Sequence, residues 1–379
     1  MAACEFDTGA LPLQSFSSHP TQLEFKAARP DSSIYFSTQS TLSILSLPDT
    51  HSYLTRIGLP VSTATEPPSL DLLAKLLLAQ QTTTPYDTSA LHVSKEDWNG
   101  PNRPIVLGGG KEMMELGKGN FNRIVGRQQG GFCYALNGAF SSFLRGFGFS
   151  VSEVGARVYL HRGKDPKEEG WLWSPITHET LLVRWIGSDG RYFIDAGFGG
   201  GGCPYPILLK DGQTSPSLSR TESFLLIEET MPDNSTTILE DLPLGFTLYR
   251  RVLPPGLTIS SPLTASTGPG HWSPCIHFSL TTLSPSDITM ANYYNEHHPN
   301  APFVNFFVVS ILLKNGKRRT ISYGAAPVDM NVGGAQGTGR KAKLYTKEGV
   351  RGVEEDVSWV EFETGALREV LEREFGFRF

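Results

Sequence analysis

The hydrophobic pattern changes period twice along the chain. Over residues 1–50, rich in Ser, Thr and Pro, apolar positions show little periodicity, and the stretch reads as an extension, partly loop. A helical period follows in HSYLTRIGL (51–59) and in SLDLLAKLLLAQQTTT (69–84), where Leu70, Leu73, Leu77 and Leu78 share one face and Pro85 ends the run. Residues 97–111 read as a loop, KEMMELGKGNFNRIV (111–125) as a short helix, and YALNGAFSSFLRGFGF (134–149) as a longer one. The period then drops to two. VSEVGARVYLHR (151–162), ITHETLLVRWI (176–186), RYFIDAGF (191–198) and SFLLIEE (223–229) predict strands, with GSDG (187–190) closing a hairpin between the second and third. TSPSLSRT (214–221) reads as a loop. A third, mixed section starts at HFSLTTLS (277–284). It predicts a helix near DITMANYYNEH (287–297), a strand at FVNFFVVSILL (303–313), a hairpin at KNGK (314–317), a flexible loop at GGAQGTGR (333–340) and an amphipathic helix over SWVEFETGALREVLEREF (358–375). Helices, then antiparallel strands, then a mixed section predict an α+β chain without internal repeats.

At 379 residues, with 39% hydrophobic and 19% charged residues, the chain can bury large cores and has room for two or three domains. Its net charge of −5 and pI near 6 argue against nucleic acid or an anionic membrane as main partner. VNFFVVSILL (304–313) is too short to span a bilayer, and no cation precedes Lys26, so the N-terminus does not read as a secretory signal. Cys4, Cys133, Cys203 and Cys275 are scattered, as free thiols in a reducing compartment would be. The expectation is a cytoplasmic protein, and nothing in the sequence specifies its oligomeric state.

Cys133 stands out among these thiols. In RQQGGFCYALN (127–137) it follows Gly130, Gly131 and Phe132 and opens a helix. A helix N-terminus carries roughly +0.5 of a charge and stabilises a thiolate; a small apolar core residue would also sit well there. A thiolate nucleophile needs a base, and the base needs an orienting group. His178, in SPITHETLLV, and Asp195, where RYFIDAGF runs into GFGGGG, lie on strands that the GSDG hairpin makes neighbours, so the two can meet across the ladder. Taken singly, His178 reads as a core histidine and Asp195 as a turn former; with Cys133 they read as a triad. Gly197, Gly199 and Gly202 satisfy GxGxxG, but Pro204 and Pro206 follow instead of a helix, so the dinucleotide-binding reading fails. A loop of free N–H groups near a phosphate-bearing ligand is what remains, and Gly197, Gly199 and Gly200 are its candidate contacts. LGGGKE (107–112) lacks P-loop spacing, His178-Glu179 begins an HExxH that Leu182 breaks, and no GxSxG occurs; no metal is expected.

In this order, QGGFCYALN, ITHETLLV and FIDAGFGG resemble the arylamine N-acetyltransferases, and the length and insertions resemble their fungal branch. Tyr53-Leu54-Thr55-Arg56-Ile57-Gly58 resembles an early family motif, and ANYYNEHHPNAPFVNFFVVS (291–310) a later one, so the resemblance spans about residues 53–325. It implies three domains: a helical bundle bearing the Cys (1–149, with the N-terminal extension), an antiparallel β-barrel bearing His and Asp (150–255), and an α/β lid (256–379), around a papain-like catalytic core. It implies xenobiotic-type chemistry on aromatic amines or hydrazines. The donor would be acetyl-CoA or another short acyl-CoA, and Cys133, His178 and Asp195 would pass the acyl group through an acyl-cysteine. Phe132, Phe198 and Tyr86 are the expected acceptor contacts; core packing explains each of them equally well. Acetyl is the family default, with malonyl or propionyl as further donors, and Arg127 is the cation offered for a malonyl carboxylate. Two positions depart from the family pattern: Gln129 stands where an Arg precedes Gly-Gly, and Ala135 where a Glu follows the Cys by two. The same three residues would also serve a Cys-His-Asp hydrolase or amide synthase, and the departures suit a binding protein with decayed catalysis.

Overall fold

Ser46 and Ser69 each accept a backbone N–H three residues on, and a helix starts behind each: α1 (Leu47–Arg56) and α2 (Leu70–Thr83). The computed structural model describes residues 44–110, 118–199, 201–233, 243–254, 256–259, 269–324 and 340–379. The buried stripe of α2 is Leu72, Leu73, Leu76, Leu77 and Gln80. Leu70 is exposed and Leu78 half-buried, so the stripe runs one position away from the expected 70/73/77/78 face. Leu73 and Leu77 belong to both faces; Leu72 and Leu76 complete the buried stripe in place of Leu70 and Leu78. Next come β1 (Tyr86–Asp87), α3 (Lys95–Trp98) and α4 (Lys118–Phe121), which runs into one wide turn at Asn122–Gly126. The part of the expected 111–125 helix before residue 118 lies outside the described residues. Helix α5 (Cys133–Gly146) packs Phe140 and Phe143 against Tyr53, whose ring stacks on Phe143 at 4.2 Å.

The strands β2 (Ser150–Val158), β3 (His178–Arg184), β4 (Tyr192–Ile194), β5 (Ile207–Leu208), β6 (Gln213–Pro216), β7 (Ser223–Thr230), β8 (Leu244–Val252) and β9 (His271–Thr282) form one antiparallel sheet. Its order is β5-β4-β3-β2-β9-β8-β7-β6. Its two end strands follow each other in the chain and meet, so the sheet is nearly closed. Leu182, Phe193, Phe224, Phe246 and Phe278 fill its interior. The alternate residues of β3 and β4, Leu181, Val183, Tyr192 and Ile194, face the other way into the helical core. HFSLTTLS does not open a new section: it is the end of β9, whose Phe278 lies opposite Ala156 of β2 and Phe246 of β8.

Helix α6 (Pro166–Glu169) is a single turn after β2, and α7 (Pro285–His297) begins at a capping box on Ser284 and Asp287. Strands β10 (Phe306–Leu312), β11 (Lys317–Gly324), β12 (Lys341–Glu348) and β13 (Glu354–Glu361) form a second antiparallel sheet of order β1-β10-β11-β12-β13. Helix α8 (Thr364–Phe375) covers it with Leu367, Leu371 and Phe375 on Phe307, Ile321 and Leu344. The expected helix over 358–375 therefore starts six residues late. SWVE alternates, with Trp359 out and Val360 packed in, and completes the edge strand. Among the described residues no helix is long and apolar enough to cross a membrane.

Candidate active site

Cys133 is placed by a turn that only glycine fits. A Cβ on Gly130 would lie 1.9 Å from the Pro85 carbonyl oxygen and 2.8 Å from Asp87 Cβ. Behind the turn, the buried Arg123 and Asp87 form an ion pair, and Arg123 Nε donates to the Gly130 carbonyl at 2.8 Å. The Asp87 N–H donates to the Gly131 carbonyl at 3.0 Å, tying the turn to β1. Gln129, where the family pattern has Arg, is buried and donates to the Arg378 carbonyl at 3.4 Å. The ion pair beside Gly130-Gly131 is thus supplied by Arg123, six residues upstream of residue 129. The N-cap of α5 is Phe132, which has no capping side chain, and the first turn holds no acid. The partial positive charge of the helix end is left to act on the thiol.

His178 and Asp195 share a face for a reason of period. Residues 178, 180 and 182 of β3 point one way, and the β3–β4 register pairs Leu181 with Ile194, so the next residue, Asp195, falls opposite Thr180. Asp195 lies diagonal to His178, and their side chains meet with Nε2 2.6 Å from Oδ2. Both are buried. The other carboxylate oxygen, Oδ1, accepts from Asn137 Nδ2 at 3.0 Å and from the Gly197 N–H at 2.9 Å. Asn137 also donates to the Glu179 carbonyl at 2.6 Å and accepts from the Ala196 N–H at 2.9 Å. One turn along α5 from Cys133, it locks the helix to both strands. Cys133 Sγ lies 3.7 Å from the Thr177 carbonyl, which Asn295 of α7 also engages at 2.8 Å. Burial alone would push the His178 imidazolium down. The Asp195 carboxylate and the Cys133 thiolate beside it outweigh burial and raise it to about 10. By contrast, burial pushes the Cys203 thiol up to about 12 and raises that of Cys275 as well.

A cleft of about 800 Å³ opens beside this cluster. Tyr86, Phe198 and Gly199 are among the residues that line it. Phe132 does not: it is fully buried, its ring 6.1 Å from Phe303. Gly197 turns to α5 instead of the cleft, and Gly200 lies outside the described residues. Arg127 is elsewhere too, in a small recess with Trp98 and Phe379. Asn137, Gln81 and Arg162 are the neighbours that sequence reasoning missed. Gln81 Nε2 donates to the Asp195 and Cys203 carbonyls at 2.8 and 3.0 Å. The signal for Asn137 was available, since a mid-helix Asn is costly unless its amide has partners. Gly197 yields a test of the close approach. A Cβ there would lie 2.8 Å from Cys133 Cα and 2.9 Å from Asn137 Nδ2, neither free to move. Gly197→Ala is expected to cost about 1–3 kcal/mol of stability and to lower turnover in parallel, read from denaturant midpoints and steady-state rates; a neutral change in both would contradict this packing.

The N-acetyltransferase family model matches residues 69–241, from α2 into the strands beyond Asp195. The arylamine N-acetyltransferase of Mycolicibacterium smegmatis is 25% identical over 273 residues, covering 71% of this chain and 78% of that protein. The arylamine N-acetyltransferase of Salmonella typhimurium superposes with a TM-score of 0.60 at 20% identity, over 88% of this chain and 92% of that one. That of Mycobacterium marinum, solved in complex with CoA, superposes with a TM-score of 0.57 at 21% identity, over 86% and 92%. In family model, sequence and fold, the chain is similar to the arylamine N-acetyltransferases across the segment that carries Cys133, His178 and Asp195.

Proposed function

We propose that the protein transfers an acyl group from a CoA thioester to an aromatic amine or hydrazine through an acyl-cysteine on Cys133, in the cytoplasm. The observation that carries this reading is the 2.6 Å His178–Asp195 contact on the face that meets Cys133 at the start of α5. In this mechanism Cys133 passes its proton to His178, which holds it beside Asp195. Cys133 Sγ attacks the thioester carbonyl, the carbon–sulfur bond to CoA breaks, and the departing CoA thiolate takes the proton of His178. The amine nitrogen then attacks the acyl carbon, the bond to Cys133 breaks, and the amine's proton passes to His178. Net, thioester and amine become amide and CoA thiol, and the ion pair is restored. Asp195 fixes the imidazole throughout, itself held by Asn137 and Gly197. Acetyl is the first donor to expect, with propionyl and malonyl as further candidates. The three-part division at 149/150 and 255/256 belongs to the same proposal, with β9, from the third part, completing the sheet of the second.

The direct test omits the amine. Incubated with acetyl-CoA, the protein is expected to gain one acetyl mass on the peptide holding Cys133, detected by intact-mass and peptide mass spectrometry. An adduct on Cys203, or none with acetyl-, propionyl- or malonyl-CoA, would remove the covalent mechanism and favour a hydrolase or a binding protein on the same fold.

A further inference from the structure

Four cations line the cleft beside Phe198, Arg162, Arg250, Arg318 and Lys347, and among the described residues no carboxylate lines it. Two of the four share one carboxylate from behind. Glu222 is buried in the wall, accepts from Arg318 Nη2 at 2.9 Å and lies 3.6 Å from Arg250 Nη1. Burial pushes its carboxyl up, and Arg318 and Arg250 outweigh that, so it stays ionised. Arg162 and Lys347 are different. Among the described residues neither has a carboxylate at ion-pair distance or a hydrogen-bond acceptor. Arg162 instead lies over the Phe198 ring, its guanidinium carbon 4.9 Å from the centroid, and the same ring meets the His178 imidazole edge-on at 5.4 Å. A half-buried cation with no carboxylate at ion-pair distance among the described residues therefore stands one aromatic ring from the proposed base. Burial pushes both Arg162 and Lys347 below their ordinary pKa, and for Lys347 the carboxylates of Glu354 and Glu222 offset part of that push.

We infer that this end of the cleft is a carboxylate site in which Arg162, with Lys347 also facing the cleft, receives a carboxylate carried by one of the two substrates. The source is either the aromatic amine, as in an aminobenzoate, or the acyl group, as in the half-thioester of a dicarboxylic acid. The inference rests on the reading of Cys133 as the acyl carrier. A guanidinium stacked on a ring keeps its N–H edge free to grip a carboxylate with two parallel bonds. Tyr86, Phe303 and Phe306 add aromatic wall for a flat partner. The phosphates of the thioester itself do not suit this position: the pantetheine arm holds them far beyond one ring's width from the sulfur.

Two kinetic arms separate the sources. The acceptor arm compares 4-aminobenzoate with its methyl ester, both with acetyl-CoA. The donor arm compares malonyl- and succinyl-CoA with propionyl- and butyryl-CoA, all with one neutral arylamine. In one arm the carboxylate is expected to raise kcat/KM about tenfold or more over its neutral counterpart, and Arg162→Gln to erase that ratio, chiefly through KM. Arg162→Lys should restore part of it. Should Arg162→Gln fail to fold, Lys347→Gln lowers the same ratio by a smaller factor. Calorimetric titration of 4-aminobenzoate and of malonate into the Cys133→Ser protein reads the site without turnover, and binding of one of them is expected to weaken with Arg162→Gln. Equal kcat/KM for carboxylate and neutral substrates in both arms, or an equal loss for both in Arg162→Gln, overturns the site while leaving acyl transfer standing. Carboxylate binding that depends on Arg162, in a protein that no CoA thioester acylates, supports the site and removes the transferase mechanism instead.

Discussion

Cys133→Ala is expected to lower acyl transfer by on the order of 10⁶, the scale on which removal of a triad nucleophile acts. Nothing else among the described residues can take its place. Cys203 and Cys275 are buried, with their thiols raised by burial, and neither lies beside an imidazole that an acid holds. The fold should survive, because Ala suits the first turn of α5 and the cavity left among Phe132, Tyr134, Ala135 and Ile288 is one sulfur atom in size. Cys133→Ser should fold too, with its hydroxyl donating to the Thr177 carbonyl that now faces Sγ. It is expected to be nearly as inactive, since an alkoxide is far less available than a thiolate. Single-turnover acylation, measured beside a denaturation curve for each variant, checks both. An alanine variant that still turns over well above background would move the chemistry away from Cys133.

The three candidate residues were legible because each is announced by its own neighbours. Gly-Gly precedes the thiol, a period-2 run surrounds His178, and a strand runs out into glycines behind Asp195. What the local pattern does not encode is who stands behind them. Asn137 matters because two strands happen to end at its amide. Arg162 is a lone arginine past β2 until Phe198, thirty-six positions later, is folded under it. Arg127, six residues from Cys133 in sequence, ends up in a recess with Trp98 and Phe379, because the turn at Gly130-Gly131 redirects the chain between them. The same limit applies to the fold. Alternation revealed strands, but the pairing of β9 with β2 and β8 is a long-range register that no local window contains.

Asp195→Asn is expected to lower acylation about 10⁴-fold, as the corresponding change does in serine-protease triads, and here the geometry says how. Oδ1 of Asp195 faces two donors, Asn137 Nδ2 and the Gly197 N–H. An Asn at this position keeps its oxygen on that side and turns its NH₂ toward His178 Nε2. That nitrogen must then accept, so the neutral ring carries its proton on Nδ1, and no carboxylate stabilises the imidazolium. Burial, the largest influence on His178, then works unopposed except by the thiolate. The sign follows. In the native protein His178 titrates at about 10 against an ordinary 6.5, so the ion pair's contribution to stability is full below about 6.5 and fades as pH rises through about 10. Acylation should hold through neutral pH and fall off on the alkaline side near the same value. In Asp195→Asn that alkaline limb should move several units toward acid, and alkylation of Cys133 at pH 6 should slow in step. A purely structural Asp195 predicts otherwise. It also caps the turn before Gly197, and Asn caps such turns well, so a structural role would leave the limb and the low-pH alkylation where they are. Near-normal acylation with an unmoved alkaline limb would reduce the triad to Cys133 and His178 and leave Asp195 as the post that holds the glycine loop.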